Sequence, residues 1–446
     1  MNRSLFAAIL LAPVAAHAGG MFLHVKDGHD VERAGALVAG SDESDSLWLN
    51  PAGLAHLNHG NTLYVGATYL NQAVDYTRID SGGNQMPTVS NGYPGIAIPT
   101  IAASFAINEK LVIGGGVTTP YLGLHRYDVN GTQRYASASL AESLAATVTF
   151  GAAYNISPKL RVGATLQDAI TKLDSRVTLS GCPGQTVCAP EDPEFDADTR
   201  LQQTDLFAPS ASVGIQYDIH PRVTLGASVQ APSRVSATGK LQTRLPSSGF
   251  YEGATVKGDK ARMEFTMPPI IRAGVQWNPI DQLKVEAALE IEFWSMHDDI
   301  TITPENVFIE NVAGVGEYKV GKTVIPRNYN NSYAISVGGE YSLTRALSVG
   351  AGYAYETSAA PASYVSVLTV DSNKHFIGLG ANYIVGTWAF GASGGYVHLT
   401  NVDVTMDEAK VPQLTPVRGQ PSEVYINAGD YKSSYILAGL RATKSF

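Results

Sequence analysis

Beyond its first eighteen residues, the 446-residue chain has no apolar run long enough to cross a bilayer as a helix. About 20 apolar residues would be needed, so a helical membrane protein is excluded. Charge is scarce: 16% of residues are charged and the formal net charge is −9. Without a basic stripe nothing neutralises phosphates, which excludes nucleic acid as a partner. Cysteine is limited to Cys182 and Cys188. Two thiols with no nearby His or further Cys cannot fill a tetrahedral zinc site. There is no H-E-x-x-H, Walker or G-x-G-x-x-G motif, so no metal or cofactor is expected. Asp42, Glu43 and Asp45 lack calcium-loop spacing.

What is present begins with an export signal. Arg3 supplies the positive start, Leu5 to Ala16 the apolar stretch, and Ala16-His17-Ala18 a small-x-small cleavage site. Residues 1–18 are therefore expected to be removed. Export makes a Cys182–Cys188 disulfide the expected state, contributing roughly 2 kcal/mol by closing a short loop. Glycine is abundant at 44 residues and tyrosine at 22. Mean hydropathy is near zero, as expected when strands alternate lipid-facing and lumen-facing residues.

From about Asn61 the chain reads as hairpins. Short polar turns sit at Asn108-Glu109-Lys110, Asn155 to Lys159, Asp218 to Pro221, Asn278 to Asp281, Ser342 to Arg345, and Val385-Gly386-Thr387. The connections between them are long and polar, as at Gly181 to Gln203 and Asn401 to Asp430. Short turns on one rim and long loops on the other form the outer-membrane barrel pattern.

The strands have period two. Leu283, Val285, Ala287, Leu289, Ile291 and Phe293 form one face, and Lys284, Glu286, Glu290 and Glu292 the other. Burying such charges in the dry core of a sandwich is costly, and a wet or partly wet lumen avoids that cost. In lipid only helices and closed barrels satisfy the backbone. Six hairpins, a first strand at about Asn61 to Arg78 and a last at Tyr431 to Phe446 predict an all-β fold: a fourteen-stranded antiparallel transmembrane β-barrel spanning residues 61–446. Gly19 to Gly60 is too polar for a membrane strand. It reads either as a periplasmic tail or as a plug filling an interior too wide for wall side chains alone.

Three stretches resemble a known family. Arg33-Ala34-Gly35-Ala36, the acids that follow, and Asn50-Pro51-Ala52-Gly53-Leu54 are similar to the N-terminal hatch of the FadL family of outer-membrane transporters. Met267-Pro268-Pro269 through Trp294-Ser295 resembles that family's Pro-started hairpin. Tyr353 to Pro361 with Asp371 to Tyr383 resembles its late strand pair. The family carries long-chain fatty acids and, in TodX-like members, aromatic hydrocarbons. The resemblance implies a monomeric barrel among outer-membrane lipids, plugged by residues 19–60. It also implies passive diffusion of a hydrophobic ligand through an internal pocket, with sideways release at a kinked third strand. Asn50, Pro51 and Ala52 match the hatch motif, and Met21 or Phe22 would reach the pocket.

Gly114, Gly115 and Gly116 lie in the expected third strand, where glycines commonly mark a bend, and are the candidates for the kink. Arg272 either meets a ligand carboxylate or pairs across strands with Glu290 or Glu292. A general porin, and an adhesin or phage receptor acting through the long loops, are alternative functions. Gly391-Ala392-Ser393-Gly394-Gly395 fits a nucleophile elbow, but that motif needs a strand–turn–helix. Alternation runs straight through it, so no enzyme is expected.

Overall fold

The computed structural model describes residues 27–120, 123–184, 186–189, 191–417 and 424–446. The expected export signal lies outside them. Fourteen antiparallel strands form a closed wall: β1 (Asn61–Arg78), β2 (Ile96–Ala106), β3 (Leu111–Thr118), β4 (Leu144–Ser157), β5 (Leu160–Ser180), β6 (Pro209–His220), β7 (Val223–Gln230), β8 (Ile270–Ile280), β9 (Leu283–Glu292), β10 (Ser332–Ser342), β11 (Leu347–Glu356), β12 (Lys374–Val385), β13 (Trp388–Leu399) and β14 (Gly429–Ser445). Each predicted short turn joins the two strands expected of it. The wall closes where β14 pairs with β1, from Thr62 opposite Ser445 to Arg78 opposite Gly429. Phe446 continues that ladder by donating its N–H to the Asn61 carbonyl at 2.9 Å.

Period-two patterning sets the faces. Phe150, Leu166 and Leu440 point outward and are exposed, as a lipid-facing band requires. The alternation on β9 holds, but the expected wet lumen does not. Glu286, Glu290 and Glu292 are all buried, as is Arg272 on β8. Parts of the N-terminal segment cover this face, as Val38 to Gly40 cover Glu286.

On the long-loop rim the wall does not stop at the membrane. Residues 181–203 are not simply a loop. Asp196–Asp205 folds back on the outer half of β5, from Thr171 opposite Asp205 to Ser180 opposite Asp196. Ser233–Arg244, Lys260–Met267, Asp299–Glu305 and Thr323–Pro326 extend that sheet in turn. At its tip Cys182 and Cys188 form the expected disulfide, packed with Phe195, Tyr251 and Ile309.

The third strand carries its glycines in regular pairing. Gly114, Gly115 and Gly116 pair with Ser104, Ala103 and Ala102 on one side, and with Gly151, Phe150 and Thr149 on the other. The register is unshifted on both sides, so no bulge sits at these glycines. Instead β3 ends at Thr118. β2 runs on to Ile96 and β4 to Leu144 with nothing from β3 between them.

Candidate functional site

Residues 27–60 lie inside the wall. The short helix α1 (Gly28–Glu32) touches β11 to β14 and β1, while the 3-10 turn Pro51–Leu57 touches β2 to β6. Only a segment within the lumen reaches both sides. Asn50 caps the 3-10 turn, its Oδ1 accepting from the Ala52 N–H at 3.2 Å. Its amide donates to the Val38 carbonyl at 2.9 Å and to the Ile215 carbonyl of β6 at 3.1 Å. Asn50 thus ties the segment both to itself and to the wall, which a residue with only one polar function could not do.

The wall admits this backbone because its inner positions carry no side chain. A Cβ on Gly163 would meet the Pro51 carbonyl at 2.3 Å, and one on Gly378 the Val31 oxygen at 1.8 Å. One on Gly116 would meet the Trp48 ring at 2.9 Å. These glycines are neighbours across strands, with Gly163 opposite Gly214, Gly226 opposite Gly274, and Gly338, Gly352, Gly378 and Gly395 in one row. They form a smooth inner girdle, to which Gly114 and Gly116 of β3 belong.

Directly outward from the girdle lies a layer of buried charge. Arg272 donates from Nε to Glu290 across β8 and β9. Lys374 meets both Glu356 and Asp371 at 2.8 Å. Glu292 accepts from the Trp294 ring N–H and from Ser332. Such partners offset the cost of removing charge from water.

Further outward is an apolar cavity enclosing about 1020 Å³ of unfilled space, part of it open to solvent. Leu173, Leu241, Met263, Phe265, Ile302 and Leu368 are among its walls. It meets a second space of about 330 Å³ at Leu368 and Thr369. That space meets a third, of about 280 Å³, at Gln72, Gly123 and Tyr435. The third is bounded by Gly95 and Ile96, at the start of β2 where β3 is missing. The three spaces share lining residues in succession, and the last of them borders the gap in the wall.

Arg327 lines none of these spaces but bonds Thr369, which lines the first two. Arg327 is 3% exposed and pairs with no carboxylate among the described residues. Its Nη2 donates to Tyr329 and, at 2.6 Å, to Thr369, while its Nε finds no acceptor. His297 packs on Tyr329 and Trp294 with its Nε2 unpartnered. Burial, and then the charge of Arg327, push the His297 imidazole down to about 3. Burial likewise holds His125, on the loop after β3, at about 4. Both rings are therefore neutral at physiological pH.

The profile of the family described as outer membrane protein transport protein (OMPP1/FadL/TodX) matches residues 9–446. The chain belongs to this family. It is similar to outer membrane protein P1 of Haemophilus influenzae, 21% identical over 451 residues and covering 92% of each chain. The 47 kDa outer membrane protein of Pasteurella multocida is 22% identical over 83% of this chain and 85% of its own. Among solved structures, a Pseudomonas aeruginosa FadL homologue superposes with a TM-score of 0.80 at 18% identity, covering 96% of this chain and 100% of its own. The Pseudomonas putida toluene transporter TodX gives 0.67 at 15% identity, over 97% and 99%. The protein is an outer-membrane β-barrel of a family that transports hydrophobic compounds and consists of channels, not enzymes.

For a FadL-family member, the sequence-predicted residues fall into three groups. Asn50, Pro51 and Ala52 come together at the wall contact with Gly163 and Gly214. Arg272 is taken up by Glu290 and does not border the apolar cavity. Met21 and Phe22 lie outside the described residues. Ser393 sits mid-strand in β13, paired on both sides, with no elbow around it. Sequence reasoning missed Arg327, which lies on a polar stretch after Pro326 with no motif to mark it. It also missed Pro99, whose signal was legible: proline inside a strand marks an edge that no neighbour covers.

Proposed function

We propose that the protein carries acid-headed amphiphiles, of which a long-chain fatty acid is the type, by passive diffusion from the outer cavity to the lipid. What carries this is the series of three spaces that share lining residues and end at the gap beside β3. A fatty acid is poorly soluble and gains about 0.8 kcal/mol for each methylene buried, which an apolar cavity supplies and a water-filled pore does not. The ion-paired layer beneath the cavity opposes straight passage, because an alkyl chain crossing it would break buried pairs without replacing them. Sideways release at Gly95 and Ile96 avoids the layer. Residues 19–60 serve as the hatch that stops leakage, with Asn50 holding it to β6. Arg327 receives the head group, since a buried guanidinium without a carboxylate is completed by one. A neutral arene offers it a ring face but no countercharge.

Two variants test both halves. Gly123→Phe fills the junction of the inner spaces, so fatty-acid uptake should fall at least tenfold in an assembled barrel that still binds the acid. Arg327→Leu should weaken binding of a long-chain acid roughly tenfold, about 1.4 kcal/mol, and leave binding of toluene unchanged. Normal uptake by the first variant would refute the lateral route. Equal losses for acid and arene in the second would refute the acid preference.

A further inference from the structure

Glu286 is a long charged side chain on the inner face of the wall whose carboxylate is taken up by lumenal backbone. It sits on β9 between Gln276 of β8 and Gly338 of β10, with no exposure to solvent. Its Oε1 accepts from the Val38 N–H at 2.6 Å and the Ala39 N–H at 2.8 Å. Its Oε2 accepts from the Gly40 N–H at 2.8 Å and from Arg33 Nη2 at 3.3 Å. Three successive main-chain N–H groups turned onto one anion form a nest. Here the anion belongs to the barrel and the nest to the lumenal segment.

Both sides are shaped for this contact. A Cβ on Gly40 would come within 1.9 Å of Gln276 Oε1 and 2.8 Å of Glu286 Oε2. A Cβ on Gly274 would meet Glu286 Oε1 at 2.6 Å, and one on Gly338 the Arg33 oxygen at 2.3 Å. Elsewhere the segment is tied to the wall side chain by side chain, as Glu32 is to Asn382, Glu43 to Arg441, Asp42 to Lys284 and Trp48 to Thr149. Asn50 supplies another tie, to β6. In the Arg33 to Gly40 stretch Glu286 of β9 takes the N–H groups of Val38 to Gly40, while Gln216 of β6 donates to the Ala39 carbonyl at 3.1 Å.

We infer that Glu286 is the latch of the hatch: a positioning residue that keeps residues 33–40 seated and thereby keeps the lumen closed to ions. This rests on the hatch role given to residues 19–60. Loss of the carboxylate leaves three buried N–H groups and a guanidinium without their acceptor, a strongly unfavourable state. The segment then leaves its seat although the wall is unchanged. A glutamine there cannot substitute, because one of its two terminal atoms is a donor facing donors.

The test uses full-length protein in detergent and in planar bilayers, and needs no ligand. In Glu286→Gln, amide exchange in peptides covering residues 31–50 should quicken at least tenfold, and steady ion conductance should rise above that of the parent. Gly40→Ala breaks the same contact from the segment side and leaves every wall residue in place, so it decides the matter even if Glu286→Gln does not assemble. It should show the same two changes. Glu286→Asp, which keeps the charge but shortens the reach, should fall between. An assembled Gly40→Ala or Glu286→Gln barrel with parental exchange and parental conductance would overturn the latch. Fatty-acid uptake by the parent is measured separately, so failure of the latch does not count against the transport route, nor the reverse.

Discussion

At the scale of single residues, the inner face divides between glycine and charge, and each excludes water in its own way. Glycine lets the lumenal backbone touch the wall, as Gly378 does at Val31. The acids are buried with partners, as Glu290 is with Arg272. Histidine adds a pH dependence. His125 and His297 are neutral when folded, with values near 4 and 3, and titrate near 6.5 when unfolded. Below pH 6.5 the unfolded chain binds protons at these rings that the folded chain refuses. Their contribution to stability is therefore complete above pH 6.5, falls as pH drops, and is lost through the folded values. Denaturant midpoints should decline between pH 7 and pH 4.5, by on the order of 2 kcal/mol per histidine. A His125→Gln, His297→Gln double variant should flatten that slope; an unaltered slope would assign it to other groups.

At the scale of elements, β3 matters for where it stops. Pro99 has no N–H to offer a neighbour, and β3 does not reach it: the last residues paired there are Ile101 and Val117. Two of the β3 glycines serve the lumenal segment, since Gly114 lies against Leu54 and Gly116 against Trp48, while Gly115 lies against Phe150 of the wall. The outer lobe is a separate matter. Its disulfide lies at the tip, packed on Tyr251 and Ile309 and away from the membrane ladder. Replacing Cys182 and Cys188 with Ser should loosen that tip by roughly 2 kcal/mol. Limited proteolysis should then cut within residues 181–195 faster, while the melting temperature of the barrel stays within a degree or two. A large drop in that temperature would show the lobe and wall to be one cooperative unit.

At the scale of the whole molecule, a fourteen-stranded wall surrounds residues 27–60. Fourteen strands leave more interior than wall side chains can occupy, and residues 27–60 with the charged layer take up the remainder. Removing residues 19–60 should therefore give a large, steady conductance in planar bilayers, where the intact protein gives little. A large conductance of the intact protein, unchanged by the deletion, would favour a general porin.

The sequence by itself determined the strand number, the six short turns, the limits of β1 and the lipid-facing residues. These follow from local rules: period two, turn chemistry, and the need to close a sheet in lipid. It also carried Asn50, whose side chain caps the turn beginning one residue later. Tertiary structure alone decided the rest. That Glu286 would meet the N–H groups of Val38 to Gly40, nearly 250 residues away in the chain, depends on which wall position faces which turn of the lumenal segment. That Arg272 would be taken up by Glu290 while Arg327 stays without a carboxylate depends on strand register and loop packing. The gap beside β3 depends on how far three strands extend relative to one another. Local sequence reports how a strand alternates; only the closed barrel sets which side chains meet across it.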